Sequence, residues 1–347
     1  MNILLTSAGR RTYLVDYFKE ALEMAGLTGA VHAANSQVSP AFFAADRHII
    51  TPLIYDQAYI PFLLDYCGRW NIDLLIPLFD IDLPVLAGSR DLFASAGTTV
   101  VTADSPSVGI CNDKWKTFQA LTGRGILTPR SWLEPEAPLR EIRGGNLFYP
   151  LILKPRWGMG SLSVYQADDE EELRVLDRKI RREIGQSYLK YEAAKDLDAC
   201  VLIQEKISGR ELGLDVINDL AGVYRTTSVK EKNGMRAGET DGAVTLSLPE
   251  LSALGARLSG LLGHRGNLDV DILEQDGQYY VLEMNARFGG GYPFSHAAGI
   301  HLPYALVMWA SGKEPEEIYL KARTGVQARK DIRILVQDEM SGKEEKP

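Results

Sequence analysis

Glu283, Asn285 and Arg287 recur at every second position in the run Tyr279-Tyr-Val-Leu-Glu283-Met-Asn285-Ala-Arg287-Phe-Gly-Gly-Gly291. On an extended strand alternate side chains share a face, so Val281, Glu283 and Asn285 are expected to point one way and Leu282 and Met284 the other. Two oxygen donors at that spacing suit a hard cation such as Mg2+. Arg287 falls on the same face if the strand continues, and a guanidinium there can clamp a phosphate. The glycines at 289–291 let backbone approach a ligand closely. A solvent-exposed polar strand end is the competing reading, and Glu-x-Asn-x-Arg alone does not separate the two.

Asp271 lies twelve residues before Glu283, across a hairpin whose turn contains Asp276-Gly277. Register decides what this carboxylate can do. A two-residue loop with regular pairing sets Val270 opposite Glu283 and turns Asp271 to the other face. A bulged or three-residue connection pairs Asp271 with Glu283 directly. Joint metal binding by both carboxylates requires the bulged register. The alternative is that Asp269 and Asp271 are the wet face of an edge strand.

Three further groups carry candidate chemistry. Lys154 ends an apolar strand and precedes Pro155-Arg156-Trp157-Gly158-Met159-Gly160-Ser161. A lysine followed by a glycine loop can lid a triphosphate, with backbone N–H groups capping the phosphates. No Gly-Lys-Ser/Thr follows, so this is not a Walker A motif; an ordinary glycine-rich turn is the rival reading. In Glu211-Leu-Gly-Leu-Asp215-Val the apolar residues share one face and Glu211, Gly213 and Asp215 the other, which places Glu211 to accept from ribose hydroxyls. Gln204-Glu205-Lys206-Ile207 ends a buried strand, the kind of hinge whose backbone reads an adenine edge.

These residues need elements to hold them. The 347-residue chain has room for two or three packed domains. It is 45% hydrophobic and 24% charged, an ordinary globular balance. A net charge of −8 argues against nucleic-acid or membrane-surface binding driven by bulk positive charge. The three cysteines, Cys67, Cys111 and Cys200, form no disulfide framework or zinc spacing, so a reducing, cytoplasmic setting is expected. No leader-like segment opens the sequence, and no apolar run approaches the length of a membrane span.

Residues 2–6, 31–34, 74–78 and 99–102 read as buried strands, with helices at 14–25 (stopped by Gly26) and 58–70 between them. Strands alternating with helices imply a doubly wound parallel sheet over about 1–105. One helix is expected over 107–123, then a strand at 150–154, the loop 156–163, a strand near Val164 and a helix over 168–185. Beyond that, strands are expected at 201–204, 211–218, 222–230, 267–273 and 278–285, with a helix around 251–262 ended by Gly263. Residues 338–347 are polar and expected to fray.

Lys154 with its glycine loop, residues 204–207, Glu211, Asp271 and Glu283/Asn285/Arg287 stand in the order and spacing of the ATP-grasp superfamily. The chain resembles that family over nearly its whole length, including the Cys111-Asn-Asp-Lys114 segment, and is most similar to single-module carbamoyl-phosphate-synthase-like ligases. The resemblance implies an α/β protein: an N-terminal Rossmann-like (pre-ATP-grasp) domain over 1–105, then a two-subdomain α+β ATP-grasp fold. Its small subdomain with the phosphate loop spans 106–190, its C-terminal subdomain with the metal and catalytic site 191–330, and a tail 331–347.

It further implies that Lys114 and Lys154 contact ATP phosphates, Lys154 adenine as well, with Arg156, Gly158, Gly160 and Ser161 in the phosphate loop. Gln204, Glu205 and Ile207 are implied at the adenine hinge, Ile207 through its backbone, and Glu211 at the ribose. Asp271, Glu283 and Asn285 are implied as ligands of two Mg2+ ions, with Mn2+ as the alternative, and Arg287 as the γ-phosphate stabiliser. Two positions depart from the common pattern: Ser163 stands where the loop usually has its last glycine, and Asp271 where Gln or Glu is usual.

The implied activity is an ATP- and Mg-dependent ligase that joins a carboxylate to an amine or related nucleophile through an acyl phosphate and releases ADP and phosphate. Small-molecule substrates, no nucleic-acid or membrane partner, and a homodimer as candidate assembly go with it. Substrate contacts are expected from Arg10, with Arg11 beside it, from Lys230, Arg236 and Glu239 in a loop over 230–240, and from Gly290 and Tyr292. His296 and His301 read as structural or surface residues, and Cys111 as packing. Three other readings remain open: phosphorylation of carbamate or another acid without an amine step, a non-catalytic ATP-binding module, and a Rossmann oxidoreductase. The last is disfavoured because Ser7-Ala-Gly9-Arg10 lacks Gly-x-Gly-x-x-Gly.

Overall fold

Ile3, Leu4 and Leu5 have no solvent exposure, because their strand lies in the middle of a sheet covered on both faces. The computed structural model describes residues 1–236 and 238–336. β1 (Asn2–Thr6), β2 (Val31–Asn35), β3 (Arg47–Ile50), β4 (Ile72–Pro77) and β5 (Thr99–Val100) form a parallel sheet in the order β3-β2-β1-β4-β5. Ser7 and Gly9 take positive φ, 49° and 54°, and turn the chain into the helix Thr12–Met24; Gly26, at φ 63°, closes it. β5 is shorter than the expected 99–102, and β3 was not foreseen, since Arg47-His-Ile-Ile50 carries too short an apolar signal.

The single helix expected over 107–123 is two helices, Ser105–Asn112 and Lys114–Thr122. Asp113 breaks it: its backbone is extended, and its Oδ1 accepts from the N–H groups of Trp115 and Lys116 at the start of the second helix. A short acidic side chain satisfies otherwise orphaned helix N–H groups, which favours a break there. After it come β6 (Ser131–Trp132), β7 (Leu151–Pro155), β8 (Tyr165–Ala167) and β9 (Val201–Glu205), an antiparallel sheet in the order β6-β9-β7-β8 backed by the helix Glu170–Gln186. The sequence grouping placed β9 in the third region, from 191; its hydrogen bonds run to β6 and β7, so the change of sheet follows Glu205. An apolar run reports burial but not its partner.

The third sheet is built from β10 (Arg210–Asn218), β11 (Tyr224–Arg236), β12 (Glu239–Leu246), β13 (Gly266–Gln275), β14 (Gln278–Asn285) and β15 (Gln327–Arg329), in the order β14-β13-β10-β11-β12-β15. The helix Pro249–Leu262 buries Leu251, Leu254, Leu258 and Leu262 against it, and Gly263 at φ 53° ends that helix. The expected loop over 230–240 is instead the end of β11 and the start of β12. The parallel sheet followed by two antiparallel sheets is the expected α/β arrangement. Past β14 the chain returns to the first sheet: Phe288, Tyr292, Leu302 and Leu306 share a core with Leu14 and Phe18. The tail expected to fray, 338–347, lies outside the described residues. Among the described residues no helix is long and apolar enough to cross a membrane.

Candidate active site

The turn between β13 and β14 is the two-residue Asp276-Gly277, both at positive φ (54° and 74°), and it pairs Gln275 with Gln278. If pairing ran on regularly, Val270 would face Glu283. Instead the register shifts between Asp271 and Ile272: Ile272 pairs with Val281, Asp271 with Glu283, and Asp269 with Asn285. Leu282 is the extra residue of a bulge. The expected alternation fails there. Val281 and Met284 are both in the core, while Leu282 and Glu283 both line a cavity, because two bulged residues face one residue of the partner strand.

The resulting wall is dense in charge. Lys232 Nζ lies 2.5 Å from Asp271, and Lys114 Nζ lies 3.8 Å from Glu283. Arg287 donates to Asp269 at 3.2 Å and to Asp80 at 2.8 Å. Burial, reinforced by neighbouring Asp271, pushes the Asp269 carboxyl up to about 6, with Arg287 acting the other way. Asp80 and Lys232 were missed in the sequence. Asp80 follows β4, at the carboxyl end of a parallel strand where ligands of such sheets gather, and that rule alone would have flagged it. Lys232 had no such signal.

A cavity of about 500 Å³ lies between the second and third sheets. It brings together Lys114, Lys154, Gly158, Ser161, Gln204, Glu205, Ile207, Glu211, Asp271 and Glu283. Lys154 is 6% exposed, and burial and then Lys114 lower its ammonium to about 8, against the pull of Glu283 and Asp271. Lys114 donates to the Gly158 carbonyl. The loop doubles back through left-handed backbone at Gly160, Ser161 and Ser163, with φ of 62°, 57° and 55°. Ser163 thus takes the left-handed conformation that favours glycine. The loop reaches the turn between β11 and β12, where a Cβ on Gly238 would meet the Gly160 backbone at 3.0 Å and Ser161 Oγ at 3.2 Å.

Arg156 departs from its expected place at the phosphates. Its guanidinium turns away from the cavity, held by both oxygens of Asp113 at 2.8 Å each and by Asp196 at 3.0 Å. A planar donor fork is best satisfied by such bidentate partners, and the break at Asp113 supplies one. At the hinge, Arg130 takes both Glu205 oxygens at 3.0 Å, and Gln204 Nε2 donates to Ser131 at 3.0 Å. Those side chains are committed to structure. Among the described residues no hydrogen bond engages the Ile207 backbone.

A smaller cavity of about 220 Å³ adjoins the first and shares Asp271, Glu283, Lys232 and the loop with it. Asn285, Arg287, Glu239 and Gly290 line it, as does Gly160. Of the two arginines after β1, Arg11 lines it; Arg10 is exposed and does not, because the turn at Ser7–Gly9 points the next side chain outward. Three other expected substrate residues lie elsewhere. Lys230 is fully buried, paired with Asp215 and within 3.3 Å of Ser295. The Tyr292 hydroxyl is buried between the Ile300 carbonyl and the Leu302 N–H. Arg236 is exposed and pairs with Asp241 at 3.2 Å. His296 stacks on Tyr17 at 3.5 Å, and burial holds it neutral, lowered to about 3; Cys111 is buried in the core, its thiol pushed up to about 12.

The donor set suits magnesium nucleotide. Among the described residues no three His, Cys, Asp or Glu side chains converge on one point. The wall offers two carboxylates and an amide oxygen, and Mg2+ needs only one or two protein carboxylates when phosphates and water complete its shell. The Lys232 ammonium already occupies a cation position on Asp271. Lys114 and Lys154 add positive charge to the same cavity, Lys114 within 3.8 Å of Glu283.

Known proteins share this fold. The family model for an ATP-grasp domain matches residues 111–291, and that for a PylC-like N-terminal domain matches residues 3–101. The chain is 28% identical over 240 residues to the vancomycin/teicoplanin A-type resistance protein VanA of Enterococcus faecium, covering 62% of this chain and 65% of that protein. It is 19% identical over 257 residues to the arginine-specific carbamoyl phosphate synthase large chain of Bacillus subtilis, covering 72% of this chain. The chain therefore spans 65% of the first relative's length and 23% of the second's. The biotin carboxylase of Campylobacter jejuni, solved as a β,γ-ATP complex, superposes with a TM-score of 0.72 at 17% identity, covering 92% of this chain and 73% of that one.

Proposed function

Because this chain belongs to the ATP-grasp family of ATP-dependent ligases, we propose that it is a carboxylate–amine ligase that uses MgATP to activate an acid as an acyl phosphate. One observation carries this reading. The Asp271–Glu283 pair stands at the junction of two cavities, a larger one of nucleotide size rimmed by lysines and a smaller polar one. A γ-phosphate at that junction would face both compartments.

In this reading Lys154 and Lys114 hold phosphate oxygens, and Glu211 accepts from the ribose. Asp271, Glu283 and Asn285 would hold Mg2+, which would supply charge neutralisation for phosphoryl transfer. Arg287, oriented by Asp80 and Asp269, takes up negative charge developing on that group. The acid's oxygen bonds to the γ-phosphorus as the bond to ADP breaks. The amine nitrogen then bonds to the acyl carbon, phosphate leaves, and the nitrogen loses a proton. The loop 156–163, touching the Gly238 turn, shields the acyl phosphate from water.

The test is ADP release against panels of small acids and amino acids, with and without added amines. ADP release that depends on both an acid and an amine, with an amide product, supports the ligase. Sustained ADP release with an acid alone points to a kinase, and ADP release with no combination removes the assignment.

A further inference from the structure

Lys232 reaches Asp271 across an intervening strand. In the sheet register Gly213 of β10 stands between Lys230 of β11 and Asp271 of β13. Lys232 lies two residues on from Lys230 and on the same face. A Cβ on Gly213 would meet Lys232 Cε at 3.2 Å and Lys230 Cε at 3.4 Å, so the missing side chain at 213 is what lets both stems cross. Lys230 stops at Asp215, whereas Lys232 Nζ ends 2.5 Å from Asp271 Oδ1. The Lys232 side chain is only 8% exposed. An ammonium this enclosed would be left unpaired if it gave up its carboxylate, which is strongly unfavourable. The lysine is therefore a fixed part of the wall.

Free carboxylate oxygens on that wall are correspondingly few. Two metal ions held about 4 Å apart need a carboxylate that bridges them, or separate carboxylates for each. Asp269 is taken by Arg287 at 3.2 Å, and Asp271 Oδ1 by Lys232. Asp271 Oδ2, Glu283 and Asn285 are left, a set that suits one Mg2+ whose shell phosphates and water complete. Lys232 lines both cavities, so its remaining N–H donors reach the junction between them. An ammonium acts there as a compact point charge for phosphate oxygens. We propose, resting on the MgATP ligase reading, that Lys232 stands in place of one of the two metal ions expected at this site. The nucleotide-loaded chain then holds a single Mg2+ through Asp271, Glu283 and Asn285, and the tethered ammonium is the second positive centre.

Counting bound metal tests this without requiring turnover. The full chain, with a non-hydrolysable ATP analogue kept below the chain concentration, is titrated with Mn2+ in place of Mg2+, and bound ions are counted by electron paramagnetic resonance. One Mn2+ per nucleotide-loaded chain is expected, with the spectrum of an isolated ion. Lys232→Met keeps the stem and removes the charge; it is expected to take two ions, with magnetic coupling between them. Lys232→Arg is expected to stay at one. Two coupled ions in the unaltered chain, or a single ion in nucleotide-loaded Lys232→Met, overturns the proposal. Lys232→Gln replaces Lys232→Met if the latter fails to fold, and the count in the unaltered chain can refute the proposal by itself. No binding of the analogue removes the MgATP reading and this proposal with it. A single ion with no ADP release from any acid would leave this assignment standing and remove the ligase reading instead.

Discussion

Asp80 grips the Arg287 guanidinium at 2.8 Å across 207 residues of sequence. The carboxylate comes from the loop after β4 in the parallel sheet, and the guanidinium from two residues past the end of β14 in the third sheet. Asp269 holds the same guanidinium at 3.2 Å. The first sheet therefore sets the aim of the residue that the proposed reading puts at the phosphates.

Asp80→Asn should lower kcat for ADP release about 10- to 100-fold while KM for ATP stays within a few-fold, because an orienting partner is lost and the phosphate contact is not. Steady-state kinetics with a coupled ADP assay checks this. A rise in KM alone would place Arg287 in ground-state binding.

Glu283→Gln should cut ADP release by about 100-fold or more, since one of the two carboxylates proposed to hold the metal is removed. Asp271→Asn should raise the Mg2+ concentration needed for half-maximal rate. Glu283→Gln activity within a few-fold of the unaltered chain sinks the metal assignment.

Lys154 gives a pH signature. Its folded value, lowered to about 8 by burial and by Lys114, lies below the free lysine value of 10.5. Below about 8 the ammonium is charged in both states and its burial penalty is fully present. Between about 8 and 10.5 the folded chain sheds a proton that the unfolded chain keeps, so the penalty is relieved while the phosphate contact is lost. KM for ATP should therefore rise as pH passes about 8, and Lys154→Arg should flatten the rise. A KM independent of pH from about 7 to about 9.5 contradicts the role given to Lys154.

Lys230 and Asp215 form an ion pair with no exposure on either side chain. Asp215→Ala should cost about 3–5 kcal/mol by leaving the ammonium unpaired, read from urea unfolding. The double change Asp215→Leu with Lys230→Met should recover much of that loss. A single-variant cost below about 1 kcal/mol would mean the lysine finds water.

Much of the site was legible in the sequence because its elements are local. Apolar periodicity identified β1, β10, β13 and β14, and the spacing of Asp271, Glu283, Asn285 and Arg287 singled out the residues that now share one wall. Positions were less legible than identities. Arg11 lines the cavity where Arg10 was expected, Arg156 faces Asp113, and Lys230 and Tyr292 are buried in the interior. In each case the side chain's direction depends on a turn, a helix break or a packing partner far along the chain.

The hairpin shows the division most closely. By itself the sequence determined two strands, a turn containing Asp276-Gly277, and a choice between two registers that differ in which carboxylates can meet. Only the folded sheet decided between them, by bulging Leu282 toward the cavity and keeping Val281 and Met284 in the core. Turn type and strand propensity are set by a few neighbouring residues. A bulge is set by what the two faces must pack against, and the apolar core on one side and the charged wall on the other are assembled from distant segments.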